Sequence, residues 1–449
     1  MADYDVVIVG GSAAGITCGI TARRHYKDKS ILLIRGEEQV LIPCGIPYIF
    51  GTVGAPEKNL IGDGVLKKHN IELSIDEVSD IDRENKVLKL VRGDDVSYDK
   101  LVLATGSQPV QLPLPGSDMD GTFSIKKSVP YLERMLAKMA DISHLVIIGG
   151  GFIGVEFADE CKKCWDLDVT VIEMLPYPLQ TAFDDEFCSE AHTLLESRGI
   201  NVLTGAKVEA LQGGNAHVEA VKLDDGRELK ADAVIQSVGM KANSTLAEKC
   251  GLDTGPTGAV QVDRAMRTVD RDIFACGDCA EKVSFFTGEP SPLRLASIAS
   301  TEARVVGANL FGITRAYPGA IGVYSTIIGD TAFATAGLTE DTAAEAGYCA
   351  VAGRSASVNR HPGMMPGGAE MSLKLIFEKQ TRTIVGGQIM GAKSGGELIN
   401  TVSACIQQSM TADQIATFQT GTHPALTASP VAYQLVNAAE DAIGKMGPC

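Results

Sequence analysis

The residues able to do chemistry in this chain are one cysteine in a turn and two glycine-rich loops that frame it. The thiol lies in Leu41-Ile42-Pro43-Cys44-Gly45-Ile46-Pro47-Tyr48. The first loop, Gly10-Gly11-Ser12-Ala13-Ala14-Gly15, follows an apolar run at 4–9. The second, Gly149-Gly150-Gly151-Phe152-Ile153-Gly154, follows another at 145–148. Each opens a helix-like stretch and then reaches a second apolar run, 31–34 or 169–172. Glycines at this spacing let the backbone approach a pyrophosphate, whose charge a helix N-terminus favours. A single loop of this kind also reads as a plain tight turn. Two in register predict two bound dinucleotides, with electrons passing from one to the other and onward to Cys44.

The ends of the second strands refine this. Glu173 closes the run at 169–172, where a carboxylate accepts both hydroxyls of an adenosine ribose and repels a 2′-phosphate, so NADH is expected over NADPH. The first unit departs from that pattern. Arg35 occupies the matching strand end, Glu37 and Glu38 follow it, and Ser12 replaces the middle glycine. The first ribose contact stays open, with Glu37 a candidate beside Arg35.

These loops must be positioned by strands and helices, and the chain has room for about three domains in its 449 residues. The 48 glycines and the low aromatic content suit an α/β protein with many strand-to-helix turns. The first α/β segment, 1–112, closes on Lys100-Leu101-Val102-Leu103-Ala104-Thr105-Gly106-Ser107, a buried strand with a glycine turn. A proline-rich connection at 109–115 leads to a second α/β unit, 113–243, ending at Ala233-Val234-Ile235-Gln236-Ser237-Val238-Gly239. Within 244–320, Asp272-Ile273-Phe274-Ala275-Cys276-Gly277-Asp278-Cys279 reads as strand, turn and acid, followed by a helix over 293–310. From 321 to 449 the pattern changes. Alternation at 372–377 and 384–389 predicts antiparallel strands, and helical periodicity covers 396–408 and 430–443.

A net charge of −16 argues against nucleic-acid and anionic-membrane partners. The start of the chain has no basic n-region, and the most apolar stretch, 145–158, is too short to span a bilayer. Eleven cysteines without a framework spacing read as reduced thiols of a cytoplasmic protein. Cys161 and Cys164, at i and i+3 on a helix, make a poor zinc site and read as structural or surface residues, so no metal is expected.

Taken in order, the two loops, Ala104-Thr105-Gly106, the Cys276-Gly277-Asp278 turn and Cys44 resemble the flavin-dependent pyridine nucleotide–disulfide oxidoreductases over essentially the whole chain. The resemblance implies two Rossmann-like domains and a C-terminal α+β dimerisation domain. It implies FAD on 1–112 and 244–320, contacted by Gly10, Ser12, Ala13, Ala14, Gly15, Thr105 and Gly106, with Asp278 on the ribityl chain. NADH would sit on 113–243, contacted by Gly149, Gly151, Phe152, Ile153, Gly154, Glu173 and Gly239. Phe152 resembles an aromatic that covers the flavin until the nicotinamide displaces it, and 321–449 would build a homodimer.

Cys44 sets the subgroup. A second cysteine five residues on would be Ile49, and one three residues away would be Leu41 or Pro47. Without a local partner, Cys44 must cycle through a sulfenic acid, a persulfide or a mixed disulfide. This resembles the single-cysteine group of NADH oxidases, NADH peroxidases, coenzyme A-disulfide reductases and NAD(P)H persulfide or polysulfide reductases. Ala13 stands where the oxidases and peroxidases carry a histidine, which favours reduction of a persulfide, polysulfide or coenzyme A disulfide. An NADH oxidase or peroxidase is the alternative, and a flavin-bearing redox sensor is a different class. The tyrosine pair of coenzyme A-disulfide reductases appears as Met364-Met365-Pro366, although Tyr433 could supply a phenol. His423-Pro424 resembles an acid–base pair member, but its orienting glutamate falls at Ala428, leaving a catalytic role beside a capping one. Pro43 and Cys44 are expected to start a helix whose dipole favours the thiolate. Cys276 and Cys279 read as small packed residues. Cys449 reads as a shuttle thiol or a solvated bystander.

Overall fold

A computed structural model describes residues 2–214, 216–361 and 364–446, and the chain forms two compact units. The first gathers Met1–Leu112, Phe123–Asp141 and Val238–Ala320; the second gathers Pro113–Thr122, Ile142–Ser237 and Ile321–Cys449. Residues 123–141 and 238–243, expected with the second α/β unit, group with the first. For 238–243 this follows strand pairing: Met240–Ala242 runs antiparallel to Ser107–Pro109, with Ala242 opposite Ser107.

The first unit is built on five parallel strands in the order Glu72–Ile75, Ile31–Arg35, Ala2–Val9, Val96–Leu103 and Ile273–Ala275. Val87–Leu90 and Val78–Asp82 extend the sheet antiparallel. The central strands are apolar on both faces because helices cover them; Val6, Val7, Ile8, Leu33 and Leu101 are fully buried. Helices Ala13–His25 and Ala296–Asn309 pack closely. A Cβ on Gly307 would lie 2.7 Å from the Cys18 carbonyl oxygen, and Tyr26 donates its hydroxyl to Ala308 O at 2.5 Å.

The second unit holds a second parallel sheet, with Ala233–Gln236, His144–Ile148, Asp168–Ile172 and Ile200–Leu203 side by side. It also holds a five-stranded antiparallel sheet ordered Val323–Ile328, Thr331–Gly337, Ile384–Gly391, Glu370–Glu378 and Ala350–Val358. Helices Gly395–Gln407 and Gln434–Met446 cover that sheet. The two parts are joined by a polar knot around the buried Lys374. Lys374 Nζ lies 2.6 Å from Asp184, 2.7 Å from Glu186 and 2.5 Å from Glu340. Gln388 exchanges two hydrogen bonds with Asp184. The three carboxylates are close enough to share a cation, and the Lys374 ammonium is that cation. Among the described residues no helix is long and apolar enough to cross a membrane.

Candidate active site

In the first unit three strands end together at the carboxyl edge of the parallel sheet, the place where open α/β sheets bind ligands. Val9, Leu103 and Ala275 are in register there, and each is followed by a turn. Gly10 has φ +116°, and a Cβ on it would lie 2.1 Å from Ala104 O; one on Gly15 would lie 1.9 Å from Gly10 O. Only glycine permits this tight strand-to-helix turn. Ser12 is the N-cap of Ala13–His25 in extended backbone, and its side chain makes no cap. Ala13 and Ala14 open the helix, so its first-turn N–H groups are left to an external anion. Gly277, with φ +78°, brings the third turn against Ala14, whose Cβ would be 2.9 Å from an added one.

Asp278 is half-buried beside these turns and accepts a hydrogen bond from Ser107 Oγ at 2.6 Å; Lys127 Nζ in turn donates to Ser107 Oγ at 3.4 Å. Thr105 spends its hydroxyl on Asn243 O at 2.6 Å, so it braces the turn that Gly106 completes at φ +71°. Gly239, at φ +98°, accepts the Val110 N–H beside the same strand pair. An uncapped helix start, a glycine cradle and an available carboxylate fit a pyrophosphate with a hydroxylated chain, as FAD has.

Arg35 is a pin rather than an open contact. Its side chain is 1% exposed. The guanidinium is bidentate to Asp63 at 2.6 and 2.8 Å and also donates to the Glu37 and Glu38 carbonyls. Its stem crosses under the loop, where a Cβ on Gly11 would meet Arg35 Cδ at 2.4 Å. The Glu37 side chain is exposed.

Cys44 is exposed within a 3₁₀ turn, Pro43–Gly45, that runs into the four-residue helix Ile46–Ile49. The expected helix is therefore one short turn, too short for a substantial dipole. The turn is anchored differently. Strand Val40–Leu41 pairs with Leu60–Ile61, and the Asn59 side chain, 5% exposed, reaches back to the cysteine segment. Asn59 Nδ2 donates to Ile42 O at 2.9 Å, Ile42 N–H donates to Asn59 O at 2.9 Å, and a Cβ on Gly45 would lie 2.0 Å from Asn59 Oδ1. Sequence reasoning missed Asn59, whose only signal is a pair of short apolar runs around the thiol.

The second loop repeats the geometry of the first. A Cβ on Gly154 would lie 1.9 Å from Gly149 O, while one on Gly151 would meet nothing within 4 Å, leaving the helix start open. Ile153 is half-buried in the first turn of Phe152–Cys164. Glu173 is oriented by two backbone donors, Gly150 N–H at 2.7 Å and Leu175 N–H at 2.9 Å. Phe152 stacks on Tyr324, with centroids 4.8 Å apart and planes at 9°. One helical turn on, Glu156 accepts a hydrogen bond from Thr326 Oγ1 at 3.0 Å. Burial, reinforced by the nearby Glu160 charge, pushes its carboxyl up to about 7. Tyr324 and Glu156 carry no local sequence signal of a site.

In the C-terminal part, His423 is exposed, and its Nδ1 accepts the Ala425 N–H at 3.2 Å, so the ring caps its own loop. Tyr433 is half-buried, and burial raises its phenol. Met364 is exposed, in a turn where Met365 O accepts the Gly368 N–H. Cys161, Cys276 and Cys279 are buried, with burial raising the Cys161 thiol. Cys164 is exposed, and Cys449 lies outside the described residues.

Two uncapped phosphate loops on separate parallel sheets define an oxidoreductase fold that binds FAD and NAD(P)H. The profile described as pyridine nucleotide-disulphide oxidoreductase matches residues 4–303, and that of its dimerisation domain matches 323–432. The chain belongs to this family. It is 32% identical to an NADH oxidase of Methanocaldococcus jannaschii, covering 98% of this chain and 99% of that one. It is 31% identical to an NAD(P)H coenzyme A polysulfide/persulfide reductase of Pyrococcus horikoshii, covering 86% and 87%. The solved NAD-dependent persulfide reductase from A. fulgidus superposes with a TM-score of 0.91 at 33% identity, covering 98% of this chain and 83% of that one.

Proposed function

We propose that this protein is a cytoplasmic, homodimeric NADH-dependent reductase that passes electrons through FAD to Cys44 and reduces a persulfide, polysulfide or coenzyme A disulfide. The carrying observation is the setting of Cys44. It is exposed on a braced turn, whereas Cys18, Cys276 and Cys279 of the same unit are buried and Cys250 is half-buried. A single accessible thiol suits an acceptor that brings its own sulfur. The unit's histidines are His25 and His69. His25 ends the helix that Ala13 begins, about 18 Å away along the axis. His69 lies by that same far end, its carbonyl accepting from Arg23 Nε at 3.0 Å, so neither histidine stands at the start of the loop.

Residues 10–15 and Asp278 would hold FAD, and Gly149, Gly151, Gly154 and Glu173 would hold NADH. Bound FAD supplies the two-electron chemistry that links a hydride donor to a sulfur acceptor. Phe152, stacked on Tyr324, is the aromatic gate of the nicotinamide side. The Cys44 thiolate attacks a sulfane or disulfide sulfur; a new S–S bond forms at Cys44 and a thiolate leaves. Two electrons then cleave that bond, freeing the second sulfur product and restoring the thiolate.

The second reading, an NADH oxidase or peroxidase, is favoured by the name of the M. jannaschii relative. Steady-state NADH consumption with polysulfide, coenzyme A persulfide, coenzyme A disulfide, peroxide and oxygen separates the two. Sulfur acceptors should turn over fastest; a faster rate with peroxide or oxygen transfers the assignment to the second reading.

A further inference from the structure

Two charges that the reaction scheme does not use lie beneath the Cys276–Gly277–Asp278 turn. Lys282 is 2% exposed and Glu302 is fully buried. Lys282 Nζ donates to Gly277 O at 2.7 Å and Ala280 O at 2.9 Å, and it lies 3.6 Å from Glu302 Oε1. Glu302 Oε2 accepts the Gly277 N–H at 2.8 Å, while Oε1 has no hydrogen-bond partner. Both backbone polar groups of one glycine therefore end on the same ion pair. That glycine is in the left-handed region and immediately precedes Asp278.

The two charges come from separate elements. Lys282 belongs to the short strand Lys282–Val283, and Glu302 lies in the middle of helix Ala296–Asn309. A buried pair of this kind contributes little net stability compared with an apolar pair, because two ions must be desolvated. A packing role alone would be met as well by two hydrophobes. A device that fixes a turn and sets the local field needs the charges.

Resting on the FAD reading above, we propose that Lys282 and Glu302 are a positioning pair for the flavin site. They clamp Gly277 so that the Asp278 carboxylate is presented at the carboxyl edge of the sheet, and their charge balance tunes the reduction potential of bound FAD. Glu302, Asp278 and Lys282 together carry one net negative charge when ionised. Neutralising Glu302 leaves the site more positive and eases flavin reduction, whereas removing Lys282 strips the buried Glu302 of the cation that favours its charged form, so the carboxyl takes up a proton and the net charge is unchanged. Burial pushes Glu302 up to about 7, so the measurement belongs at pH 8, where it is charged.

The test is an anaerobic reductive titration of the holoenzyme against a reference dye at pH 8, together with the rate of FAD release. Glu302→Gln is nearly isosteric and its amide oxygen can still accept the Gly277 N–H, so it keeps the test valid if Lys282→Met loses the cofactor. Glu302→Gln should raise the flavin midpoint potential, Lys282→Met should leave it close to wild type because Glu302 takes up a proton, and the double variant should match Lys282→Met. FAD should leave the single variants at least about fivefold faster. An unchanged potential in Glu302→Gln, or shifts of the same sign in both single variants, overturns the proposal while leaving the FAD reading intact. Wild-type protein that is colourless and takes up no FAD overturns both.

Discussion

Asn59 offers a direct measure of how far the geometry of the Cys44 turn matters. Its side-chain amide is nearly buried and donates one hydrogen bond, to Ile42 O at 2.9 Å, two residues before the thiol. The same amide fills the space that a Cβ on Gly45 would need. Asn59→Ala removes that hydrogen bond and opens a gap beside Gly45, one residue after the thiol. A lost hydrogen bond costs about 1 kcal/mol net, and the lost packing brings the total to about 1–2 kcal/mol, borne by a single turn. Since each 1.4 kcal/mol is a factor of ten, the thiol step should slow roughly 5- to 30-fold. Rapid mixing of pre-reduced enzyme with polysulfide reads this step, and mixing of oxidised enzyme with NADH reads the other half-reaction. The first should fall and the second should stay within about twofold of wild type. Asn59→Asp keeps the shape without the donor and should behave like the alanine variant. A thiol step in Asn59→Ala at the wild-type rate, with FAD retained, would refute the bracing argument.

Three other outcomes follow from the site. Cys44→Ser should abolish turnover of sulfur acceptors while flavin bleaching by NADH persists, since only one half-reaction needs the thiol; stopped-flow traces losing both with FAD bound contradict this. NADH should exceed NADPH by at least about tenfold in kcat/KM, because the Glu173 carboxylate, held by Gly150 and Leu175, meets a 2′-phosphate with like charge; equal values for the two cofactors refute that role. Glu156 supplies a pH dependence of stability. Its carboxyl rises from 4.5 to about 7 in the folded protein, so the native state holds more protons than the unfolded chain between these values. Its contribution to stability therefore falls as pH rises from about 4.5 to 7, by at most roughly 3 kcal/mol. Glu156→Gln should gain on wild type in urea-unfolding midpoint from pH 5 to pH 8, and a constant difference would show that the carboxyl is not held protonated.

The parts of the fold legible in the sequence are those written in local periodicity. The apolar run, glycine turn and helix of both phosphate loops appear as read, and the C-terminal strands appear at Glu370–Glu378 and Ile384–Gly391. Lys374 is buried on the first of them, because a charge that finds three carboxylates from other elements can occupy an interior position. Other features set by distant partners share this origin. Arg35 finds its carboxylate 28 residues away at Asp63, and the strand that draws 240–242 into the first unit finds its partner at 107–109. The helix expected to start at Pro43 and Cys44 is instead a 3₁₀ turn, Pro43–Gly45, followed by Ile46–Ile49, because Pro47 has no N–H to donate to Pro43 O one turn back. Pairings across such separations have no period to detect.

This division between local and distant information also explains why the acceptor is harder to read than the cofactors. Dinucleotide binding is done by backbone, and the backbone conformation of a strand-to-helix glycine turn is dictated by residues next to one another. Acceptor choice depends instead on what surrounds a single sulfur atom, and the turn that carries it is held by Asn59 and the Val40–Leu41 pairing. Relatives of nearly equal identity can thus bear the names NADH oxidase and persulfide reductase while sharing one frame. Ala13 carries no ring, and the histidine on its own helix, His25, is three turns distant. A sulfur–sulfur bond at Cys44 needs no stabilising imidazole, only two electrons and a thiolate able to leave.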